Sequence, residues 1–356
     1  MTQTLSRPPA SAAASLTVSV IIPVHNGGAA FARCLGGLAE LSPQPDEVII
    51  VADGDSDGSW RQAEAAGYAV VRSATSGGPA QARNAGAARA TGEILYFIDA
   101  DVVAHPDAIA KVRRTFDDEP DLSAVIGSYD DEPGSPQLLA QYKNLQHHYV
   151  HQTGGEEAFT FWAGCGAIRR DVFDSLGGFD ASYREPSIED IELGYRLKAA
   201  GHRIRLRKDL QVKHLKRWTA LSLVKTDFFK RALPWSELIL RQKNLPNDLN
   251  INTASRLSVV SVYILILALC AALLSARELF VVATAMLVLL VLNRDFYGFL
   301  LRKRGLWFTI RILPWHWFYF FYSGLAFAIV NARHRARGLF AHLIPTMPSK
   351  SASAVR

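Results

Sequence analysis

Apolar and polar positions divide the chain into a first part of short alternating segments and a last part of long apolar runs. Thr17–Val24 is nearly all apolar or β-branched with little alternation, the pattern of a strand buried on both faces of a parallel sheet. Comparable runs predict strands at Glu47–Ala52, Tyr68–Arg72, Ile94–Ile98 and Ser123–Ile126, and the spacing between them predicts helices at Ala30–Leu41, Trp60–Ala66, Gly78–Ala90 and Pro106–Phe116. Strands alternating with helices of about ten residues indicate βαβ units and a doubly wound α/β domain, in which ligands bind beyond the carboxyl ends of the strands. The second half of this domain, Tyr129–Trp218, has a less regular pattern.

The pattern changes after Trp235. Trp235–Asn250 reads as a linker helix with the turn-prone Leu245-Pro246-Asn247-Asp248 near its end. Just before it, Asp227–Trp235 pairs bulky aromatics with cations, as in a helix lying in a membrane interface or in a plain amphipathic linker. Leu257–Leu274 holds 18 residues without a charge and Leu279–Asn293 a further 15, separated by Ser275-Ala276-Arg277-Glu278, which predicts a tight helical hairpin. Arg302-Lys303-Arg304 then marks a cytosolic return. A third apolar stretch, Ile312–Asn331, carries Trp315, Trp317, Tyr319 and Tyr322 and is followed by Arg333, Arg335 and Arg337. Three crossings place those arginines outside, against the positive-inside tendency, so one of the three stretches is expected to be re-entrant or interfacial. The predicted organisation is a disordered leader (1–15), an α/β domain (16–235), a linker or interfacial helix (236–255), a membrane part of two or three apolar helices (256–340) and a flexible tail (341–356).

Charge sharpens this division. The 356 residues carry a net +6, yet from Ile251 onward 12 Lys and Arg stand against only Glu278 and Asp295, so the first 250 residues are net −4. A basic, aromatic, apolar tail suits an anionic bilayer surface and argues against nucleic acid as a partner. Cys34, Cys165 and Cys270 are scattered and odd in number, which indicates neither a disulfide framework nor a zinc site and fits a reducing compartment. The leader, rich in Ser, Ala and Pro, lacks the apolar stretch of a secretory signal, so the α/β domain is expected on the cytosolic face of the inner membrane.

Candidate chemistry gathers at strand ends. Pro23, His25, Asn26 and the following glycines come directly after the first strand, and Asp53-Gly54-Asp55-Ser56-Asp57-Gly58-Ser59 after the second, where a nucleotide sits in such folds; each is also an ordinary turn composition. Asp99-Ala100-Asp101 ends the apolar run Ile94–Ile98, and two carboxylates so spaced can share one Mg²⁺ or Mn²⁺ or form a solvated loop.

Taken together these residues resemble the family 2 glycosyltransferases, which have the GT-A fold, a Rossmann-like domain with a mostly parallel sheet. The resemblance runs from about Val18 to Trp218: the SVIIPVHN opening, ADGDSDGS, GPAQARNAG at 78–86, the DxD at 99–101, and FWAGCGAIRRDVFDSLGGFD followed by EDIELGYRLKAAG. It implies that Asp53 hydrogen-bonds the donor base and that Arg83 lies near the base and diphosphate. It further implies that Asp101 is the principal metal ligand, with Asp99 on ribose or metal, and that Asp190 is the catalytic base of an inverting transfer from a nucleotide sugar. Ala52 stands where the family usually has a first aspartate.

Around these lie supporting candidates. Glu189, Asp190 and Glu192 open a predicted helix whose first turn favours carboxylates whatever their role. Trp162, Gly164 and Cys165 fall where related enzymes line the acceptor pocket, with core packing as the alternative; Glu189 is expected on the same acceptor side, and Cys165 reads as a small apolar filler. The cationic run from His202 to Trp218 predicts a solvated strand edge or a set of phosphate contacts through His214, Lys216, Arg217 and Trp218. The resulting expectation is a membrane-bound glycosyltransferase, an α/β domain followed by an α-helical transmembrane segment, acting on a lipid-linked or membrane acceptor. A polyprenyl-phosphate sugar synthase and a catalytically silent nucleotide-sugar-binding scaffold are the alternatives.

Overall fold

A computed structural model of the chain describes residues 15–242 and 249–343, with side chains described as far as Arg337. Nearly all of the expected leader, the turn at 245–248 and the tail beyond 343 lie outside the described residues. The chain divides into two compact units, Met1–Leu223 with Pro246–Asn252 and Asp295–Thr309, and Val224–Leu245 with Thr253–Arg294 and Ile310–Arg356.

In the first unit the apolar runs form strands close to their predicted bounds: β1 (Val18–Val24), β2 (Glu47–Asp53), β3 (Ala69–Ser73) and β4 (Ile94–Ile98). They are followed by β5 (Val102–Ala104), β6 (Ala124–Tyr129), β7 (Cys165–Arg169) and β8 (Ile204–His214). The helices are α1 (Gly28–Ala39), α2 (Ser59–Ala65), α3 (Pro79–Arg89), α4 (Ala108–Asp118), α5 (Leu138–Thr153), α6 (Arg170–Ser175), α7 (Glu189–Ala199) and α8 (Ala220–Lys225). One sheet runs in the order β3-β2-β1-β4-β7-β6-β8-β5. Its β3-β2-β1-β4 half is wholly parallel, which right-handed βα crossovers impose. β7 then pairs antiparallel with both β4 and β6, and β8 runs parallel to β6 and antiparallel to β5. The sheet is therefore mixed beyond β4, where the sequence pattern is merely irregular.

The largest departure from the sequence-based expectation is β8. The solvated edge that its cations suggest is found only in part: β8 pairs with β6 on one side, pairs with the three-residue β5 only over Val212–His214 on the other, and buries alternate residues. Its arginines are paired with acids: Arg203, just before the strand, meets Asp121 at 2.6 Å and Glu119 at 3.0 Å, Arg205 meets Glu119 at 2.8 Å, and Arg207 meets Asp209 of the same strand at 2.9 Å. Period-two burial supplies the strand, and the ion pairs neutralise its outer face.

Apolar cores fill both sides of the sheet. On one side fully buried Phe97 stands at the centre of a ring cluster, 5.1 Å from Phe179, 5.5 Å from Phe173 and 6.4 Å from Phe161. This cluster joins β4 to the chain on either side of β7 and so carries the strand that ends at the DxD. The segment 295–309 also belongs to this unit: Phe299 lies beside His148 and Tyr149 of α5, Lys303 pairs with Asp131, and Arg304 donates to Gln141 at 2.7 Å.

The second unit contains α9 (Leu233–Gln242), α10 (Thr253–Ala272), α11 (Leu279–Leu292) and the later part of α12 (Arg294–Leu343), whose helical path breaks at Gly305. α10 and α11 form the hairpin expected from the pattern, packed through Val262, Leu265, Val282, Ala285 and Leu289 together with Phe320 of α12. α10 is the one helix among the described residues that is by itself long and apolar enough to cross a bilayer.

Phe97→Ala is expected to lower unfolding stability by about 3–5 kcal/mol, the usual cost of emptying a buried aromatic site. Chemical denaturation of the purified chain measures it.

Candidate active site

The turns after β1 and β2 are knitted to each other. Asn26, in a left-handed conformation, accepts hydrogen bonds at Oδ1 from the Ser56 amide (2.8 Å), the Ser56 hydroxyl (3.0 Å) and the Asp57 amide (3.1 Å). Asp57 in turn accepts from the Gly28 amide at 2.9 Å. His25 Nδ1 lies 2.7 Å from the Asp53 carbonyl oxygen, which fixes Nδ1 as the donor. Pro23, beside Val51 in the sheet register, leads into this region, and the imidazole of His25 is exposed above it.

Asp53 itself is buried. Its carboxylate accepts from the Ser76 hydroxyl (2.7 Å) and from the Gly77 (2.8 Å) and Gly78 (2.9 Å) amides, so it clasps the turn that opens α3. Gly78 is required there: its φ is +90°, and a Cβ would lie 2.2 Å from the Arg184 carbonyl oxygen. Beside this turn is a cavity of about 360 Å³ lined by Thr75, Ser76, Gly77, Gln81, Ala181 and Arg184. Sequence reasoning missed it, although the Gly77-Gly78-Pro79 punctuation is a visible sign of a shaped loop.

From this anchored turn α3 carries Arg83 into the core of the site. The guanidinium is 5% exposed, and its two terminal nitrogens lie 2.7 Å from Asp99 Oδ1 and 2.8 Å from Glu189 Oε1. Burial opposes its charge, but Asp99, Glu189 and Asp190 together raise its pKa above the ordinary arginine value. Asp190 is half-buried next to Glu189, at the first turn of α7. Its oxygens accept from the Ala163 amide (3.1 Å) and the Ile191 amide (2.8 Å). Burial first, and the adjacent Glu189 charge second, push the Asp190 carboxyl up to about 6 against the opposing effect of Arg83. Glu189, expected on the acceptor side, is thus the second anchor of Arg83, and the partners stand 106 residues apart in sequence.

Asp101 differs from Asp99. Among the described residues no donor reaches its carboxylate within hydrogen-bond distance; His214 Nε2 lies 3.8 Å away and Lys216 Nζ 3.9 Å away. The Leu215 amide donates to the Asp101 carbonyl at 2.8 Å, which brings the end of β8 alongside the DxD. His214 is stacked on Tyr129 at 4.2 Å, and Tyr129 meets Trp162 edge-on at 4.9 Å and His147 at 4.3 Å. Gly164 lets the Trp162 indole lie directly on the backbone, since a Cβ would come 2.7 Å from the ring. The remaining candidates separate: Lys216 sits 4.8 Å over the Trp218 ring, Arg217 is exposed, and Trp218 is buried against Ala140 and Leu223. As a packed indole, Trp218 is removed from the surface on which a phosphate contact was expected. Cys165 is fully buried with the Tyr96 hydroxyl at 3.2 Å, and burial pushes its thiol up to about 12, which leaves it inert.

Residues 19–177 match the sequence profile of a family described as "Glycosyl transferase family 2". A validoxylamine A glucosyltransferase of Streptomyces hygroscopicus subsp. limoneus is 28% identical over 52% of this chain and 48% of its own length. A pre-mycofactocin glycosyltransferase of Mycobacterium tuberculosis is 30% identical over 58% of this chain and 44% of its own. The chain thus spans about half the length of these curated relatives. Among solved structures, a mannosyltransferase of Pyrobaculum calidifontis in complex with GDP-Man and Mn²⁺ is similar in fold, with a TM-score of 0.54 and 18% identity over 88% of this chain and 87% of that one.

Arg83→Met is expected to destabilise the first unit by about 3–5 kcal/mol, because it leaves two carboxylates in a buried site without their cation. Arg83→Lys, which keeps the charge but cannot fork to both partners, is expected to lose less. Urea unfolding of the two variants orders them.

Proposed function

We propose that this chain, whose residues 19–177 match the profile of glycosyl transferase family 2, transfers a sugar, with inversion, from a nucleotide-sugar donor to a lipid-linked or other membrane acceptor. UDP-sugars are the preferred donor class. The observation that carries the reading is the buried ion-pair cluster in which Arg83 joins Asp99 to Glu189, with Asp190 beside them.

In this reading Asp190 removes the proton from the acceptor hydroxyl. A carboxyl raised to about 6 is ionised at neutral pH yet more basic than an ordinary aspartate, and two backbone amides hold its oxygens in place. Arg83 contributes a fixed positive charge at the back of the cleft, Asp53 keeps the Ser76–Gly78 turn closed on the donor side, and Trp162 with Tyr129 lines the acceptor side.

The donor set also fits a divalent cation, Mg²⁺ or Mn²⁺. Asp101 offers a hard oxygen ligand with open lone pairs and His214 an imidazole nitrogen nearby, whereas one oxygen of Asp99 is taken by Arg83. Among the described residues no three His, Cys, Asp or Glu gather into a group that could hold a metal ion by themselves. Bound at Asp101, the ion would offset the charge on the departing diphosphate. The apolar α10 and the basic residues flanking the hairpin support attachment to the inner membrane, with the catalytic unit on the cytosolic face.

Asp190→Asn is expected to lower the transfer rate by about 10²–10⁴-fold with nucleotide affinity little changed. For the unaltered enzyme, kcat/KM is expected to hold level above pH 6 and to fall about tenfold per pH unit below it, as the base takes up its proton. Asp101→Ala is expected to abolish the metal dependence of nucleotide binding measured by calorimetry. An active Asp190→Asn enzyme, assayed with a panel of nucleotide sugars and membrane lipid extract, contradicts the assignment of the base.

A further inference from the structure

The sequence leaves open which of three apolar stretches stays out of the bilayer, and the second unit contains contacts that decide it. We propose that only the α10–α11 hairpin enters the bilayer, entering and leaving through one face, and that the third stretch lies along that face, so that the C-terminal arginines stay on the same side as the catalytic unit. The inference rests on the membrane attachment proposed above.

The two feet of the hairpin adjoin. Asn293 Nδ2, at the end of α11, donates to Ser258 Oγ, near the start of α10, at 2.9 Å. Each foot is also continuous in sequence with the catalytic unit, which contains Asn252 immediately before α10 and Asp295 immediately after Arg294. Away from the feet the hairpin turns large apolar side chains outward: Leu267 is 69% exposed, Leu287 60%, Phe280 79% and Leu274, at the tip, 92%. That surface between Arg256 and Arg294 at the feet and the tip suits acyl chains, and the cationic feet suit anionic headgroups.

The third stretch meets the hairpin through Phe320 and through Tyr263, midway along α10, which donates to the Phe321 carbonyl at 3.0 Å, and it has further neighbours outside the hairpin. Tyr322 donates to Asp227 Oδ2 at 2.8 Å in a buried contact, and Arg337, fifteen residues further along α12, lies 3.8 Å from Glu237. Both acids belong to the 224–242 segment, which is helical throughout and carries Asp227, Lys230, Arg231, Glu237 and Arg241. Charged groups at this density are costly in the hydrocarbon core. The segment also follows Leu223 and leads, by way of residues 243–248, to the 249–252 stretch, both of the catalytic unit, so it starts and ends on one side. Nineteen helical residues reach only about 28 Å, less than one hydrocarbon thickness of about 30 Å, and cannot cross and return. A helix joined to this segment near its middle and near its end runs beside it instead of passing through the membrane. Trp315, Trp317, Tyr319 and Tyr322 then fall at the depth such residues favour, and Arg333, Arg335 and Arg337 obey the charge rule that three crossings break.

The test is labelling of the full-length chain in sealed, sided membrane vesicles with a membrane-impermeant maleimide. Cys34 and Cys165 are buried and silent, so replacing Cys270 by alanine suffices as background. Reporters are Arg89→Cys on the catalytic unit, Leu274→Cys at the tip and Arg335→Cys near the end of α12. The expected result is that Arg89→Cys and Arg335→Cys label from the same side, while Leu274→Cys does not label from that side until detergent is added. Labelling of Arg335→Cys from the side opposite Arg89→Cys overturns the topology, as does labelling of Leu274→Cys in intact vesicles from the catalytic side. A chain that fails to sediment with the vesicles overturns the membrane reading itself. Trypsin applied to either face of vesicles holding the unaltered chain, with cleavage at Arg333–Arg337 scored by mass, reads the same sidedness without substitutions: cleavage from the catalytic side is expected, and cleavage from the opposite side alone overturns the topology.

Discussion

Arg83 is the point at which the candidate site is held together. A guanidinium buried to this degree is tolerated only with its charge compensated, and here the compensation comes from both sides: Asp99 at the end of β4 and Glu189 at the start of α7. Neither carboxylate alone occupies both terminal nitrogens, so the pair of contacts ties the parallel half of the sheet to the helix that carries Asp190. The register of that helix is fixed a second time, by the Ala163 amide on Asp190. Behind Arg83, Asp53 closes the Ser76–Gly78 turn, which sets where α3 begins and therefore where Arg83 points. Positions that are remote in sequence become one electrostatic unit through a single cation.

A second tie runs beside the first. The backbone link from Leu215 to Asp101 brings the end of β8 to the DxD, and the stacking of His214 on Tyr129 continues into Trp162. The two aspartates of the DxD consequently have unlike surroundings: one oxygen of Asp99 is held by Arg83, whereas the Asp101 carboxylate has His214 and Lys216 at 3.8 and 3.9 Å. The distinction follows from neighbours contributed by α3 and β8, not from anything in the three-residue motif.

What is legible in the chain depends on how local its cause is. β1 and β4 are buried on both faces, so Val18–Val24 and Ile94–Ile98 are continuous apolar runs that carry their own signal. The hairpin reads equally well, because Leu257–Leu274 and Leu279–Asn293 need no partner to be recognised as apolar. The cations at the start of β8 look solvated in the sequence until Glu119 and Asp121, more than eighty residues earlier, are set beside Arg203 and Arg205. β5 has three residues, too few for a pattern, and β7 carries Gly166 where a strand signal is needed. Within the site, Asp53, Arg83, Asp99 and Asp190 stand out by motif, but the roles of Asp53 as a clasp and of Glu189 as an anchor depend on contacts 23 to 106 residues away in sequence. Trp218 fails as a surface candidate because its burial is supplied by Ala140 and Leu223.

The claim that one guanidinium couples the end of β4 to the start of α7 is tested most directly by a double-mutant cycle on the acids it joins. Unfolding free energies of Asp99→Asn, Glu189→Gln and the double variant, measured with Arg83 intact, are expected to depart from additivity by at least about 1 kcal/mol, although no hydrogen bond joins the two carboxylates directly. Additivity to within about 0.3–0.5 kcal/mol, the behaviour of independent sites, contradicts the account.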